Sequence, residues 1–284
     1  MGTATQPTAI QAQRVRALIV PREHGAWGML LVPLATGAIV GLLSNGRVFP
    51  LVLLTLLALA LFWLRTPVEG LLGTSPMRVQ TEAERRIVLQ AILWLASVAT
   101  LSLTALLWDA NRAQFLLFGA IIAVAFIGQA LLKQLGRNLR MLAQIVGALG
   151  LTASAPAAYF VMTGHLDVRA AALWLANWLF AGDQIHFVQL RIHAARATGW
   201  KERFERGRLF LLGQFGMAAL LGLVVYYRFL PSLSLIAFVP VLFRGAAWFV
   251  QKPQPLAVRC LGWTELAHAL AFGILLVSGF HLAR

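Results

Sequence analysis

The sequence predicts an all-α polytopic membrane protein of about nine transmembrane helices, and three observations carry that expectation. Hydrophobic residues make up 60% of the 284 while charged residues make up only 12%, and mean hydropathy is +0.77. A soluble domain carries about 25% charged residues. Apolar runs long enough to cross a bilayer, which takes about 20 helical residues, recur along nearly the whole chain. The basic surplus, a formal charge of +14, falls mostly in the breaks on one side of those runs.

Residues 1–20 are polar and proline-containing and read as a disordered cytoplasmic N-terminus, while 21–284 read as a single nine-helix transmembrane domain. Spans one and two, 26–43 and 48–64, are separated by the turn sequence SNGR. A long polar loop over 65–86 follows, in which TEAERR offers a helix N-cap and charges at helical spacing. Spans three and four, 87–107 and 114–133, flank WDANR. Span five, 141–163, holds Pro156, where a kink is expected to free carbonyls or open a cavity. Span six, 170–188, leads into a second long loop, 189–208, whose Ile192, Ala195, Trp200 and Phe204 alternate with basic residues and suit an amphipathic surface helix. Spans seven to nine occupy 208–228, 231–250 and 262–282. GALG from Gly147 and GQFG from Gly213 supply small-residue faces for helix packing. Trp63, Trp94, Trp108, Trp200, Trp248 and Trp263 lie near span ends and suit an interfacial belt.

An odd number of spans puts the termini on opposite faces. The N-terminal face then holds 18 Lys and Arg and the other face five, with Arg244 inside a span. That bias places the N-terminus in the cytoplasm and the C-terminus outside. The charge is accounted for by topology, so no nucleic acid is expected as a partner. A lone cysteine, Cys260, excludes an intramolecular disulfide and any CxxC motif.

Ionisable side chains at membrane depth are costly, so they default to paired or functional positions. Here they collect near the cytoplasmic leaflet. Glu23 and His24 precede span one, Arg65 and Glu69 follow span two, and Arg137, Arg140 and Gln144 enter span five. Asp183 and His186 lie late in span six, Arg244 two turns inside span eight, and Glu265 and His268 at the start of span nine. One polar cavity open to the cytoplasm is the expectation. Within it His24, His186, Asp183 and Glu23 are the candidate catalytic groups, with the histidines as acid and base. Arg65, Arg137 and Arg140 are candidate anion ligands, and Glu69, Gln144, Glu265 and His268 complete the substrate-binding set. DQIH and ELAH each place an acid and a histidine three residues apart on one helix face. Such a pair makes either a carboxylate–imidazole hydrogen bond or half of a dimetal site. In the second case Glu23 and Glu69 add carboxylates to Asp183, His186, Glu265 and His268.

The blocks PREHGAWGMLLVP from 21, LRTP from 64, GRNLRMLAQIVGALGLTASAPAAYFVMTG from 136 and GWTELAHAL from 262 resemble the YwiC-like family of bacterial membrane proteins over nearly all of the chain. More distantly, nine helices with polar loops after the second and sixth resemble UbiA-type prenyltransferases and their helical bundle. That resemblance implies a prenyl diphosphate held through Mg2+ on two aspartate-rich motifs, one near each loop. In this chain RTPVEGLLG offers Glu69 alone and DQIHFVQLRIHAAR offers Asp183 alone. One carboxylate per motif is too few for a two-metal clamp, because Mg2+ demands several oxygen ligands. Arginine and histidine would instead neutralise an anionic head group directly. The leading expectation is therefore an inner-membrane protein that binds an isoprenoid or other amphipathic lipid, with a divergent prenyltransferase-like activity left open. A metal or redox-cofactor protein is the alternative. A small-solute transporter, using Asn177, Thr100 and Thr104 at mid-membrane, is the third.

Overall fold

The computed structural model describes residues 9–21, 24–73, 77–108, 114–195, 197, 199–251 and 256–283, without the side chains of 9–11, 24, 26 and 137. Among these residues all regular structure is helical. The elements in chain order are α1 (Ala9–Ile19), α2 (His24–Leu43), α3 (Val48–Leu71), α4 (Glu82–Trp108), α5 (Phe115–Leu135), α6 (Arg140–Thr152), α7 (Ser154–Thr163), α8 (Val168–His193), α9 (Trp200–Tyr226), α10 (Val239–Val250) and α11 (Val258–Leu282). A 3-10 stretch, Ser232–Phe238, leads into α10.

Seven helical stretches among the described residues are long and apolar enough to cross a membrane: α3, α4, α5, α6 joined to α7, α9, Ser232–Val250 and α11. The shorter apolar stretch Trp27–Leu43 in α2 and the 26-residue α8 bring the architecture close to the nine spans expected. α8 is diluted by Asn177, Asp183, Gln184 and His186, all within its range. The chain is a multi-pass helical membrane protein.

The helices run past the bilayer-length segments, and the two long loops shrink accordingly. α3 continues to Leu71 and α4 starts at Glu82, so Arg65 and Glu69 stand on a helix. α8 ends at His193 and α9 begins at Trp200. The expected surface helix over 189–208 is thus the ends of two membrane helices, with Ile192, Trp200 and Phe204 exposed on them. The N-terminal segment also departs from expectation. Ala9–Ile19 is helical, with Ala17 and Leu18 buried, and an apolar contact of this kind offsets the ordering entropy that polar residues alone do not.

Two compact units make up the chain, one from residues 1–24 and 49–112, the other from 25–48 and 113–284. In the first, α4 opens with a capping box. The Glu84 N–H donates to Thr81 Oγ1 at 3.2 Å, and Glu84 Oε2 accepts from the Thr81 N–H at 3.4 Å and the Gln80 N–H at 2.8 Å. Arg14 of α1 donates to Glu84 Oε1 at 2.5 Å and to the Arg78 carbonyl at 3.0 Å. These bonds tie α1 to the start of α4.

In the second unit α7 is the centre, with every residue from Ser154 to Met162 buried. The break at Ala153 follows from Pro156, which has no N–H for the carbonyl of Thr152 and whose ring clashes with it. The expected kink is present. Ser154 Oγ donates to the Leu151 carbonyl at 2.8 Å, and Trp174 Nε1 of α8 donates to the Leu149 carbonyl at 3.1 Å. One turn on, Trp178 Nε1 reaches the Ile145 carbonyl at 3.1 Å. In lipid, where no water completes a freed carbonyl, such donors have to come from neighbouring helices. α2 lies against α7 so closely that a Cβ on Gly37 would run into the Ala155 carbonyl. Phe180, Phe238 and Phe272 form the aromatic heart of this core, with Phe180 stacked on Phe272 at 4.1 Å. The expected small-residue faces are used unevenly. Gly150 faces Ala125 of α5 and Gly213 faces the His186 ring, while nothing approaches Gly216. Trp248 departs from the expected interfacial belt, being only 5% exposed beneath the Arg203 guanidinium. Trp94, Trp108, Trp200 and Trp263 are exposed, as a belt requires.

Candidate functional site

The most concentrated polar chemistry of the second unit is buried between α8, α9, α10 and α11. Arg244 enters from α10 and forks between two carboxylates, donating through Nη2 to Asp183 Oδ2 at 2.6 Å and through Nη1 to Glu265 Oε2. The side chains of Asp183, Arg244 and Glu265 are 1%, 9% and 10% exposed, so this is a desolvated network. Its guanidinium lies over the Phe187 ring, 4.1 Å from the centroid, and adds a cation–π contact. Two amides complete the shell. Gln214 Nε2 of α9 donates to Asp183 Oδ1, and Gln184 Nε2 of α8 donates to the Glu265 carbonyl at 2.8 Å and to Glu265 Oε2 at 3.3 Å. Helical spacing explains why one helix serves both acids, since adjacent positions on α8 point Asp183 and Gln184 to different neighbours.

Some of the sequence-derived set meets here and some does not. Asp183 and Glu265 converge, and Arg244 unites them. Their histidine partners do not join them: the His186 ring packs edge-on to Phe210 at 5.1 Å, and His268 Nδ1 faces the Thr264 carbonyl of its own helix at 2.7 Å. The expected carboxylate–imidazole pairs are therefore replaced by carboxylate–guanidinium pairs, which a fork of fixed N–H donors makes stronger. Gln144 accepts from Gln189 Nε2 at 3.1 Å, and Arg140 is exposed at the start of α6. In the first unit Arg65 Nε pairs with Glu69 Oε1 at 2.9 Å. Glu23 lies outside the described residues, as do the side chains of His24 and Arg137.

Among the described residues no three His, Cys, Asp or Glu side chains approach closely enough to hold a metal ion. The donor set explains why. Both Asp183 oxygens accept N–H bonds, from Gln214 and Arg244, and Glu69 accepts from Arg65. Neither single acid is left for a diphosphate-bridging Mg2+, so the residues present do not fit that ion. Asn177, read as a mid-membrane polar candidate, is a helix pin. It donates to Thr36 Oγ1 of α2 at 3.1 Å and to the Leu173 carbonyl at 2.8 Å. Thr100 and Thr104 lie exposed on α4.

Reasoning from sequence placed Arg244 at membrane depth but gave it no role, and passed over Gln184 and Gln214. Arg244 carried a usable signal, because an arginine two turns inside a span has to find a carboxylate at similar depth. The glutamines carried none, since amides are common at helix ends and nothing in their spacing marks a partner.

The same unit holds an apolar groove of about 620 Å³ along α5 and α6. Ala120, Val124, Gly128, Leu131 and Leu135 line its α5 side, and Val146 and Leu149 its α6 side. The fifteen-residue advance from Ala120 to Leu135 makes it about 22 Å long. Its Leu135 end meets the turn into α6, where Lys133 and Arg140 are exposed and Arg137 stands between them in sequence.

Comparison with known families matches residues 20–159 to the YwiC-like protein family, so the chain is YwiC-like from the entry to α2 through most of α7. The blocks from 21, 64 and 136 fall in the matched region, whereas GWTELAHAL and the whole Asp183–Arg244–Glu265 network lie beyond it, which narrows the near-complete coverage expected. No curated protein and no solved structure matches the chain.

Proposed function

We propose that this protein sits in the bacterial cytoplasmic membrane with its N-terminus inside, and that it binds an amphipathic lipid or isoprenoid with an anionic head. The tail would lie in the groove of α5 and α6, and the head would meet Lys133, Arg137 and Arg140. The observation that carries this reading is the pairing of an apolar groove about 22 Å long with exposed Lys133 and Arg140 at its Leu135 end. Basic residues near a membrane surface contribute about 1 kcal/mol each toward an anionic lipid. A tail that moves from the bilayer into the groove stays among apolar groups and gains no hydrophobic driving force, so the basic residues supply most of the preference and the groove sets the position of the tail. Binding without group transfer is the reading favoured, because Asp183 is committed to Arg244 and Gln214, and His186 and His268 are turned to Phe210 and Thr264.

Native mass spectrometry of the full-length protein released from nanodiscs tests this. The wild type is expected to retain one lipid of anionic head group, Val124→Trp to lose it by filling the groove, and Lys133→Ser with Arg140→Ser to retain it more weakly. No retained lipid, or retention indifferent to Val124→Trp, would overturn the reading.

A further inference from the structure

We propose that the Asp183–Arg244–Glu265 network is a proton-binding site, and that Glu265 carries the proton on Oε1 at neutral pH. The inference is independent of the lipid reading, because the network and the groove share no residue.

Charge comes first. Two buried carboxylates face one guanidinium, so with both acids ionised the site would hold one uncompensated negative charge. An unpaired charge in so dry a place is strongly unfavourable, and taking up a proton relieves it. Among the described residues, the groups facing Glu265 supply no second cation. α8 presents Asp183 and α10 presents Arg244. His268 on α11 is turned to Thr264, and His186 on α8 to Phe210. The 3-10 stretch Ser232–Phe238 and the part of α2 from Gly25 to Leu43 contain no titratable residue.

Hydrogen bonding then says which acid holds the proton. Asp183 accepts an N–H donor on each oxygen, from Gln214 and from Arg244, so a proton there would have to share an oxygen with an existing donor. Glu265 accepts on Oε2 alone, from Arg244 and Gln184. Its Oε1 is buried and meets no donor among the described residues; Gln214 Oε1, an acceptor, and Arg244 Nε, a donor, are buried in the same condition. A buried acceptor without a donor is costly, whereas a protonated oxygen has become a donor itself. The proton on Glu265 Oε1 therefore cancels the surplus charge at the carboxylate oxygen of the pair that meets no N–H among the described residues.

Infrared spectroscopy of the full-length protein in lipid nanodiscs at neutral pH decides it. The expected result is a C=O stretching band of a protonated carboxylic acid that moves on transfer to D₂O, moves again when glutamate is 13C-labelled, and disappears in Glu265→Gln. Because the Gln amide replaces the O–H with an N–H, Glu265→Gln is expected to melt close to the wild type. Asp183→Asn turns an amide toward two existing donors and is expected to melt well below it. Absence of a protonated-acid band in sodium buffer, as a bound sodium ion would produce, overturns the proposal. So does a band that follows 13C-aspartate, or one that survives in folded Glu265→Gln. Should Glu265→Gln fail to fold, the spectra of the labelled wild type still distinguish a protonated glutamate from a protonated aspartate or from none.

Discussion

The ion pairs of the two units are built differently. In the first unit Arg65–Glu69 lies one helical turn apart, with side chains 27% and 33% exposed. Arg14–Glu84 is 30% and 10% exposed and anchored on a capping box. In the second unit Arg244 reaches Asp183 and Glu265 across 61 and 21 residues of sequence, and none of the three exceeds 10% exposure. An exposed local pair such as Arg65–Glu69 is screened and contributes little. A buried network is a commitment, costly to assemble and more costly to break. Similar side chains are adjustable in Arg65–Glu69 and obligatory in the Arg244 network.

Arg244→Met is the strongest way to break that contrast. It keeps much of the stem but leaves two buried acids without their cation, and should cost about 3–5 kcal/mol, read as a large fall in thermal midpoint in detergent. A midpoint near that of the wild type would place the network among the screened pairs. Glu84→Ala comes next. It removes the reciprocal half of a capping box and the Arg14 contact, for a loss of about 1–2 kcal/mol, seen by the same melt and by faster hydrogen exchange at the start of α4. Trp178→Phe keeps an aromatic ring but removes the donor to the Ile145 carbonyl, and should cost about 0.6 kcal/mol, a typical value for such bonds inside membranes. Smallest of all is the Arg65–Glu69 coupling, about 0.3–0.5 kcal/mol in a double-mutant cycle with alanine. Added salt should weaken that coupling and leave the Arg244 network unmoved; a salt-sensitive network would mean that water reaches it.

Legibility followed the same division. The apolar spans, the SNGR turn and the cap at Thr81 were all readable, because each depends on neighbours within one or two helical turns. Asn45 adopts φ 57° in that turn, as asparagine readily does. Asp167 caps α8 by accepting from the Ala170 N–H at 3.1 Å. The candidate site was half readable. Depth alone brought Asp183, Arg244 and Glu265 to one leaflet, but the acid–histidine spacing in DQIH and ELAH suggested partners that the fold does not use. Two side chains three residues apart share a helix face without being obliged to bond, and a guanidinium from another helix competes better for a carboxylate than a neighbouring imidazole does.

What the chain determined by itself is its solvent and its helices: lipid demands apolar spans, and a backbone in lipid satisfies its own hydrogen bonds locally. Which helix faces which was decided only in three dimensions. Gly37 allows α2 onto α7, Trp174 on α8 finds the Leu149 carbonyl, and Arg244 selects among the acids at its depth. In lipid the apolar faces of helices are nearly interchangeable, so small residues and a few polar bonds choose the neighbours. Those choices are made between residues far apart in sequence, where no local spacing records them.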